Sequence, residues 1–248
     1  MKDFIEFFRL SGEILYWIFV GPFRGQRLNA SALFHQMVVI GVQAWPMAAL
    51  TSLSVGLTLA MQAAHELSRF GATTLVPDLI SMSLLRELGP LIVAVVVIGR
   101  SGSAVTAEIG TMKVSEEIEA LEVMAINPVR YLVVPRFIAM LIMLPVLTIF
   151  GNCIGMAGGW LICTTSLDMS TMNYILRIVE TAQTFDLYSG LLKSFVFAWL
   201  IIVIACQTGL RVTGGAEGVG RATTSSVVVS LLAMLIANAI LTGIFFIA

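Results

Sequence analysis

Residues 37–64 read MVVIGVQAWPMAALTSLSVGLTLAMQAA, a run of 28 residues without one charged side chain. A bilayer's hydrocarbon core is crossed by about 20 predominantly apolar helical residues, so this run is long enough to span. Pro46 has no backbone N–H to give the helix and marks a kink. The same test carried outward gives four more spans at 77–100, 137–163, 191–210 and 226–248. Composition agrees. Of 248 residues 58% are hydrophobic and 12% charged, with a mean hydropathy of +0.96, whereas a soluble domain carries about 25% charged residues. The expected fold is all-α and integral to the membrane, a single unit of five transmembrane helices over residues 1–248.

The segments between the spans divide by charge. Residues 1–30 are expected to form an interfacial helix and a polar link. In FIEFFRLSGEILYWIFV (4–20), Glu6, Arg9 and Glu13 share one face while Phe7, Leu10, Ile14, Trp17 and Ile18 form the other, the pattern of a helix lying on a membrane surface. Arg24, Arg27 and Asn29 follow in the link. Residues 107–124 read as a water-exposed amphipathic helix, in which Glu108, Glu116, Glu117, Glu119 and Glu122 face only Lys113, stopped by Asn127–Pro128. Residues 164–189, with Asp168, Arg177, Glu180 and Asp186, form a polar loop with room for a short helix, and a Gly-rich loop runs up to Thr224. An N-terminus inside the cell places Lys2, Arg9, Arg24, Arg27, Lys113, Arg130, Arg136, Arg211 and Arg221 on the cytoplasmic side, with Arg100 near it, and leaves Arg69, Arg177 and Lys193 outside. That bias orients the chain with a cytoplasmic N-terminus and an external C-terminus. The start of the chain lacks the order of a cleavable signal or transit peptide, which points to a bacterial protein inserted through its own helices.

Several function classes are disfavoured. A formal net charge of −1 gives no basic surplus for nucleic acid. Cys153, Cys163 and Cys206 stand alone in apolar runs, away from histidines, so no metal or disulfide framework is expected. His35 and His65 are isolated at helix ends, and no nucleophile–base set appears. The stretch from Gly215 to Gly220 followed by Arg221–Ala222 imitates a phosphate-binding loop, but it lacks the lysine, the hydroxyl residue and the preceding strand that such a loop requires. The chain is expected to be a transport subunit rather than an enzyme, with no cofactor of its own.

Three features remain. Arg86 and Glu87 lie inside a span, where an ionisable residue costs about 2.5–3.5 kcal/mol on insertion scales. Gly89–Pro90 beside them predicts a distorted helix. Two readings stay open: a structural pairing with neighbouring helices, or a polar cavity that touches a substrate head group. The acidic helix suits docking to a partner with a basic groove. Gly151, Gly155 and Gly159 recur every four residues, a face that lets helices approach closely.

The motifs SLLRELGP (83–90), GRSGSAVTAEIGTM (99–112), EALEVMAINP (119–128), VVPR (133–136) and GVGRATT (218–224) together resemble the MlaE/YrbE permease family over nearly the whole chain. The resemblance implies an ABC-exporter-like permease that pairs with a second copy, a homodimer or a close homologue, and is powered by a separate ATPase that binds the ATP. It also implies an MCE-domain partner on the outer side and phospholipid moved between inner and outer membrane. The setting is the bacterial inner membrane. By position, Leu59, Gln62, Leu67, Phe70, Arg86 and Glu87 match the family's lipid cavity. Glu108, Lys113, Glu116, Glu117, Glu119 and Glu122 match the helix on which the ATPase docks. The competing expectation is an ion-coupled secondary transporter working alone, although such folds usually show internal repeats, and none is evident here.

Overall fold

The computed structural model describes residues 2–20 and 30–247, and every regular element among them is helical. The elements are α1 Lys2–Phe19, α2 Ala30–Ile40, α3 Trp45–Ser68, α4 Val76–Ser83, α5 Gly89–Val97, α6 Ser103–Val114, α7 Glu117–Val123, α8 Val134–Ser166, α9 Thr171–Thr181, α10 Thr184–Leu210 and α11 Gly215–Ile247. The polar link with Arg24, Arg27 and Asn29 lies outside the described residues. Among the described residues five stretches are long and apolar enough to cross a membrane: Ala30–Ser68, Thr73–Val114, Val129–Ser166, Thr184–Leu210 and Gly215–Phe246. The five expected spans are therefore present, each longer than its apolar core.

The extra length has physical causes. Span 1 begins at Ala30 and is interrupted by a 3₁₀ turn at Val42–Ala44, directly before Trp45–Pro46, where the missing proline N–H prevents an unbroken α-ladder. Span 2 runs on to Val114, so residues 107–114 of the expected amphipathic helix continue the span and only Glu117–Val123 stands apart. The break falls at Glu116, whose φ of 61° is left-handed and ends the helical ladder. Residues 164–189 contain α9, capped by Ser170, whose hydroxyl accepts from the Asn173 N–H at 3.3 Å. The Gly-rich stretch up to Thr224 is not a loop. Gly214 and Gly215, at φ of 90° and 71°, make the turn, and α11 starts at Gly215. Gly218 allows a close approach inside that helix, since a Cβ there would sit 1.9 Å from the Thr213 carbonyl oxygen.

The chain separates into two compact units, each built from three stretches. The first holds residues 1–44, 97–143 and 196–240. In it α1 packs Leu10 and Ile14 inward and contacts the π-turn Val129–Val133. Its apolar face is thus turned onto protein, while Ile5, Phe8, Leu15 and Phe19 form the exposed apolar set. The Trp199 indole N–H donates to Ser11 Oγ at 3.3 Å, and Arg211 pairs with Glu6. The carbonyls loosened by the 3₁₀ turn are taken up from the π-turn Ile98–Gly102. Arg100 Nη1 donates to Val39 O at 3.0 Å and Ser101 Oγ to Ile40 O at 2.7 Å.

The second unit holds residues 45–96, 144–195 and 241–248. Here α3 and α8 cross closely: a Cβ on Gly56 would fall 1.9 Å from the Gly155 carbonyl oxygen. The expected glycine face of α8 therefore packs within the chain. A core of Ala60, Ala64, Val76, Ile80, Leu84, Ile162, Cys163 and Tyr174 joins α3, α4, α8 and α9. The Tyr174 hydroxyl donates to Met156 O at 2.7 Å, and burial pushes its pKa above the ordinary range.

Candidate functional site

Pro90 cannot donate to the carbonyl four residues back, at Arg86, so that oxygen needs another partner. The helix answers with a π-turn at Leu84–Leu88, in which the Gly89 N–H reaches back to Leu84 O. From α10, Lys193 Nζ donates to Arg86 O at 3.1 Å, filling the place of the missing N–H. The same ammonium donates to Thr242 Oγ1 at 2.8 Å and to Glu87 Oε1. Its three protons are all used, as an ammonium with 1% of its side chain exposed requires. Thr242 in turn donates to Glu87 Oε1 at 2.9 Å. Gly190, one turn earlier on α10, lets the two helices meet, because a Cβ there would lie 2.0 Å from Leu85 O.

Arg86 points to a different partner, as expected of a neighbour turned by about 100° on the helix. Its Nε donates to Asp186 Oδ1. Asp186 is 1% exposed and sits in the first turn of α10, where its Oδ2 also accepts the Gln183 N–H at 3.3 Å, the reciprocal contact of a capping box. Its charge is favourable at that helix start. Two cations and two anions thus balance. Arg86 still keeps 36% of its side chain exposed, and Nη1 and Nη2 make no hydrogen bond among the described residues. Beside this cluster Leu59 and Gln62 line a shallow groove of about 250 Å³ with Ser54, Val55, Thr58 and Leu88. Leu67 instead packs against the core, and Phe70 is 80% exposed beyond the end of α3. The sequence reading missed Asp186 and Lys193. Asp186 reads as a loop residue and Lys193 as an outer-edge charge, whereas Asp186 lies in the first turn of the helix that begins at Thr184 and Lys193 lies nine residues into it.

The expected coupling residues separate into two sets. Glu108 pairs with Arg136 at 2.8 Å, and Lys113 pairs with Glu119, tying α6 to α8 and α7. That lysine holds the Glu119 carboxyl below its usual range. Glu116, Glu117 and Glu122 are exposed. Around them Val123 is 89% and Met124 61% exposed.

A bundle of five apolar spans with a charge cluster inside one of its two units is the architecture of a multi-pass membrane protein. The chain belongs to the MlaE permease family, whose model, described as Permease MlaE, matches residues 33–244. A probable ABC transporter permease of Synechocystis is 41% identical over 239 residues, covering 96% of this chain and 89% of its own length. The intermembrane phospholipid transport system permease protein MlaE of Haemophilus influenzae is 37% identical over 250 residues, 99% of this chain and 95% of its own. The chloroplastic protein TRIGALACTOSYLDIACYLGLYCEROL 1 of Arabidopsis thaliana is 36% identical, covering 96% of this chain and 66% of its own. The chain is accordingly a transport subunit of the ABC permease type.

Proposed function

We propose that this chain is the permease subunit of an ABC-type phospholipid transporter, working as a pair of copies with a separate ATPase and an MCE-domain partner. One observation carries the lipid assignment: Arg86 is held through Nε by Asp186, while its side chain is 36% exposed and its terminal nitrogens make no hydrogen bond among the described residues. A guanidinium fixed in that way offers a two-pronged donor to a phosphate. The groove lined by Leu59, Gln62 and Leu88 supplies apolar wall for an acyl chain. Leu67 lies in the last turn of α3 and Phe70 just beyond it.

The ATPase docks on α7. Three exposed carboxylates with an apolar patch at Val123 and Met124 suit a basic, partly apolar groove. Motion is carried from α7 to α6 by the Lys113–Glu119 pair and to α8 by Glu108–Arg136. Span 2 is one helical run from Thr73 to Val114, so displacement at its Val114 end acts on the π-turn bearing Arg86 and Glu87. The second copy covers part of span 5, whose most apolar window is 11% buried within the chain. The Lys and Arg bias favours the inner membrane with a cytoplasmic N-terminus. ATP is bound and hydrolysed by the partner, and the chain itself catalyses nothing.

Purification of the native complex in mild detergent, followed by mass spectrometry, tests this reading. An ATPase, an MCE-domain protein and phospholipid should accompany the chain. In Arg86→Gln, lipid transport should fall at least tenfold while the ATPase still co-purifies. Normal transport at normal expression would remove Arg86 from the substrate path.

A further inference from the structure

The polar cluster around Arg86 is built wholly from residues of the second unit. A groove lined by residues of the first unit alone has a different chemistry. It encloses about 660 Å³ and follows one face of α10 and one face of α11. On α10 the wall residues Leu200 and Ile204 lead to Arg211, and on α11 Ala233 and Val229 lead to Arg221. The steps are four and seven residues on the first helix and four and eight on the second, so each set keeps to one side of its helix. Eleven residues of helix rise about 16 Å, close to the reach of an extended acyl chain. Phe7 of α1 closes the wall, its ring 6.4 Å from that of Trp199.

Charge is confined to one end. Arg211 pairs with Glu6, but Arg221 keeps 72% of its side chain exposed and, among the described residues, meets a carboxylate at Glu217 alone, 3.9 Å away. An exposed arginine at that distance from a carboxylate retains nearly all of its capacity to bind another anion. An apolar trough with a guanidinium pair at its mouth fits an amphiphile with a negative head.

We infer that this groove binds an anionic glycerophospholipid, with the phosphate at Arg211 and Arg221 and one acyl chain along Leu200, Ile204, Val229 and Ala233. The site is distinct in residues from the proposed transport path. It tethers a resident lipid between α10 and α11, with the interfacial helix α1 as its lid. The preference for an anionic head is the part that an ordinary boundary lipid lacks.

The test uses the full chain in phosphatidylcholine nanodiscs, with Trp199 as reporter and the other three tryptophans replaced by Phe. Brominated phosphatidylglycerol, titrated in, should quench Trp199 more than brominated phosphatidylcholine at equal mole fraction. Arg221→Gln should lower that preference about fivefold, the effect of one surface arginine on an anionic lipid. Ala233→Phe should lower quenching by both lipids by filling the trough. Soluble glycerol phosphate should not compete. Equal quenching by the two lipids would reduce the groove to a boundary-lipid surface and overturn the proposal. Competition by glycerol phosphate would make it a simple anion site, and loss of all quenching in the two-copy complex would assign the groove to the second copy instead. Either result also overturns it.

Discussion

Charge is closed in on itself around residues 84–90 and 184–193 and left open around 115–126. In the first region Lys193 donates all three protons, Asp186 answers both Arg86 and the Gln183 N–H, and two of the four charged residues are 1% exposed. In the second, Glu116, Glu117 and Glu122 stand in solvent beside an equally exposed Val123. The contrast follows from solvation. A buried ion must find partners within the chain because desolvation costs several kcal/mol per ion, whereas an exposed carboxylate costs nothing to leave unpaired. Substitution in the first region should therefore read out as stability, and in the second as assembly.

The sharpest way to break that contrast is Lys193→Met. It strips Glu87 of its cation and the Arg86 carbonyl of its donor, and should cost about 3 kcal/mol of stability, seen as a large drop in thermal midpoint in detergent. Combining it with Glu87→Met should restore most of the loss, because removing both members of a buried pair is far milder than removing one. No loss in the single variant would mean that the cluster is solvated. Asp186→Asn comes next. It keeps an oxygen for the Gln183 N–H but removes the counter-ion of Arg86, an expected cost of about 1–2 kcal/mol by the same midpoint measurement. The third change falls in the open region. Glu117→Arg with Glu122→Arg should leave stability within about 0.5 kcal/mol. Capture of the ATPase on co-purification should nevertheless be lost.

The smallest expected effect concerns pH. Glu119 is held below its usual range by Lys113, so the pair stabilises α7 above the ordinary carboxylate range and is lost as pH falls through the lowered value. Hydrogen exchange of residues 117–123, corrected for intrinsic rate, should stay flat from neutral pH into the ordinary carboxylate range and rise only at more acidic pH. Lys113→Met should remove that step.

What could be read beforehand, and what could not, follows the same division. Long, predominantly apolar runs such as 37–64 require a span wherever they occur, and all five were legible for that reason even where Arg86, Glu87 or Lys193 interrupts the run. The distortion near Arg86 was legible from Gly89–Pro90, because a proline removes a donor whatever surrounds it. The partners were not, since Lys193 lies 106 positions from Glu87 and Thr242 a further 49 from Lys193, and no local pattern encodes a contact between helices that far apart in sequence. The break between α6 and α7 also escaped the reading. Val114, Ile118 and Leu121 keep helical spacing across it, and nothing in the sequence marks Glu116 as left-handed. The glycines from 214 to 220 read as a loop by composition, yet Gly214 and Gly215 make the whole turn and α11 runs on from Gly215 through Gly218 and Gly220.

On the proposed function, phospholipid moves through this chain at the expense of ATP hydrolysed by a docked partner. The direct measurement is transfer of a fluorescent phospholipid out of proteoliposomes containing the co-purified complex, with and without ATP and with and without a protonophore. Transfer that requires ATP, ignores the protonophore and disappears in the Glu117→Arg and Glu122→Arg variant is the predicted result. Transfer that proceeds without ATP and stops when the proton gradient collapses would contradict the account and make the Glu87–Lys193 pair the coupling element of a transporter that works alone.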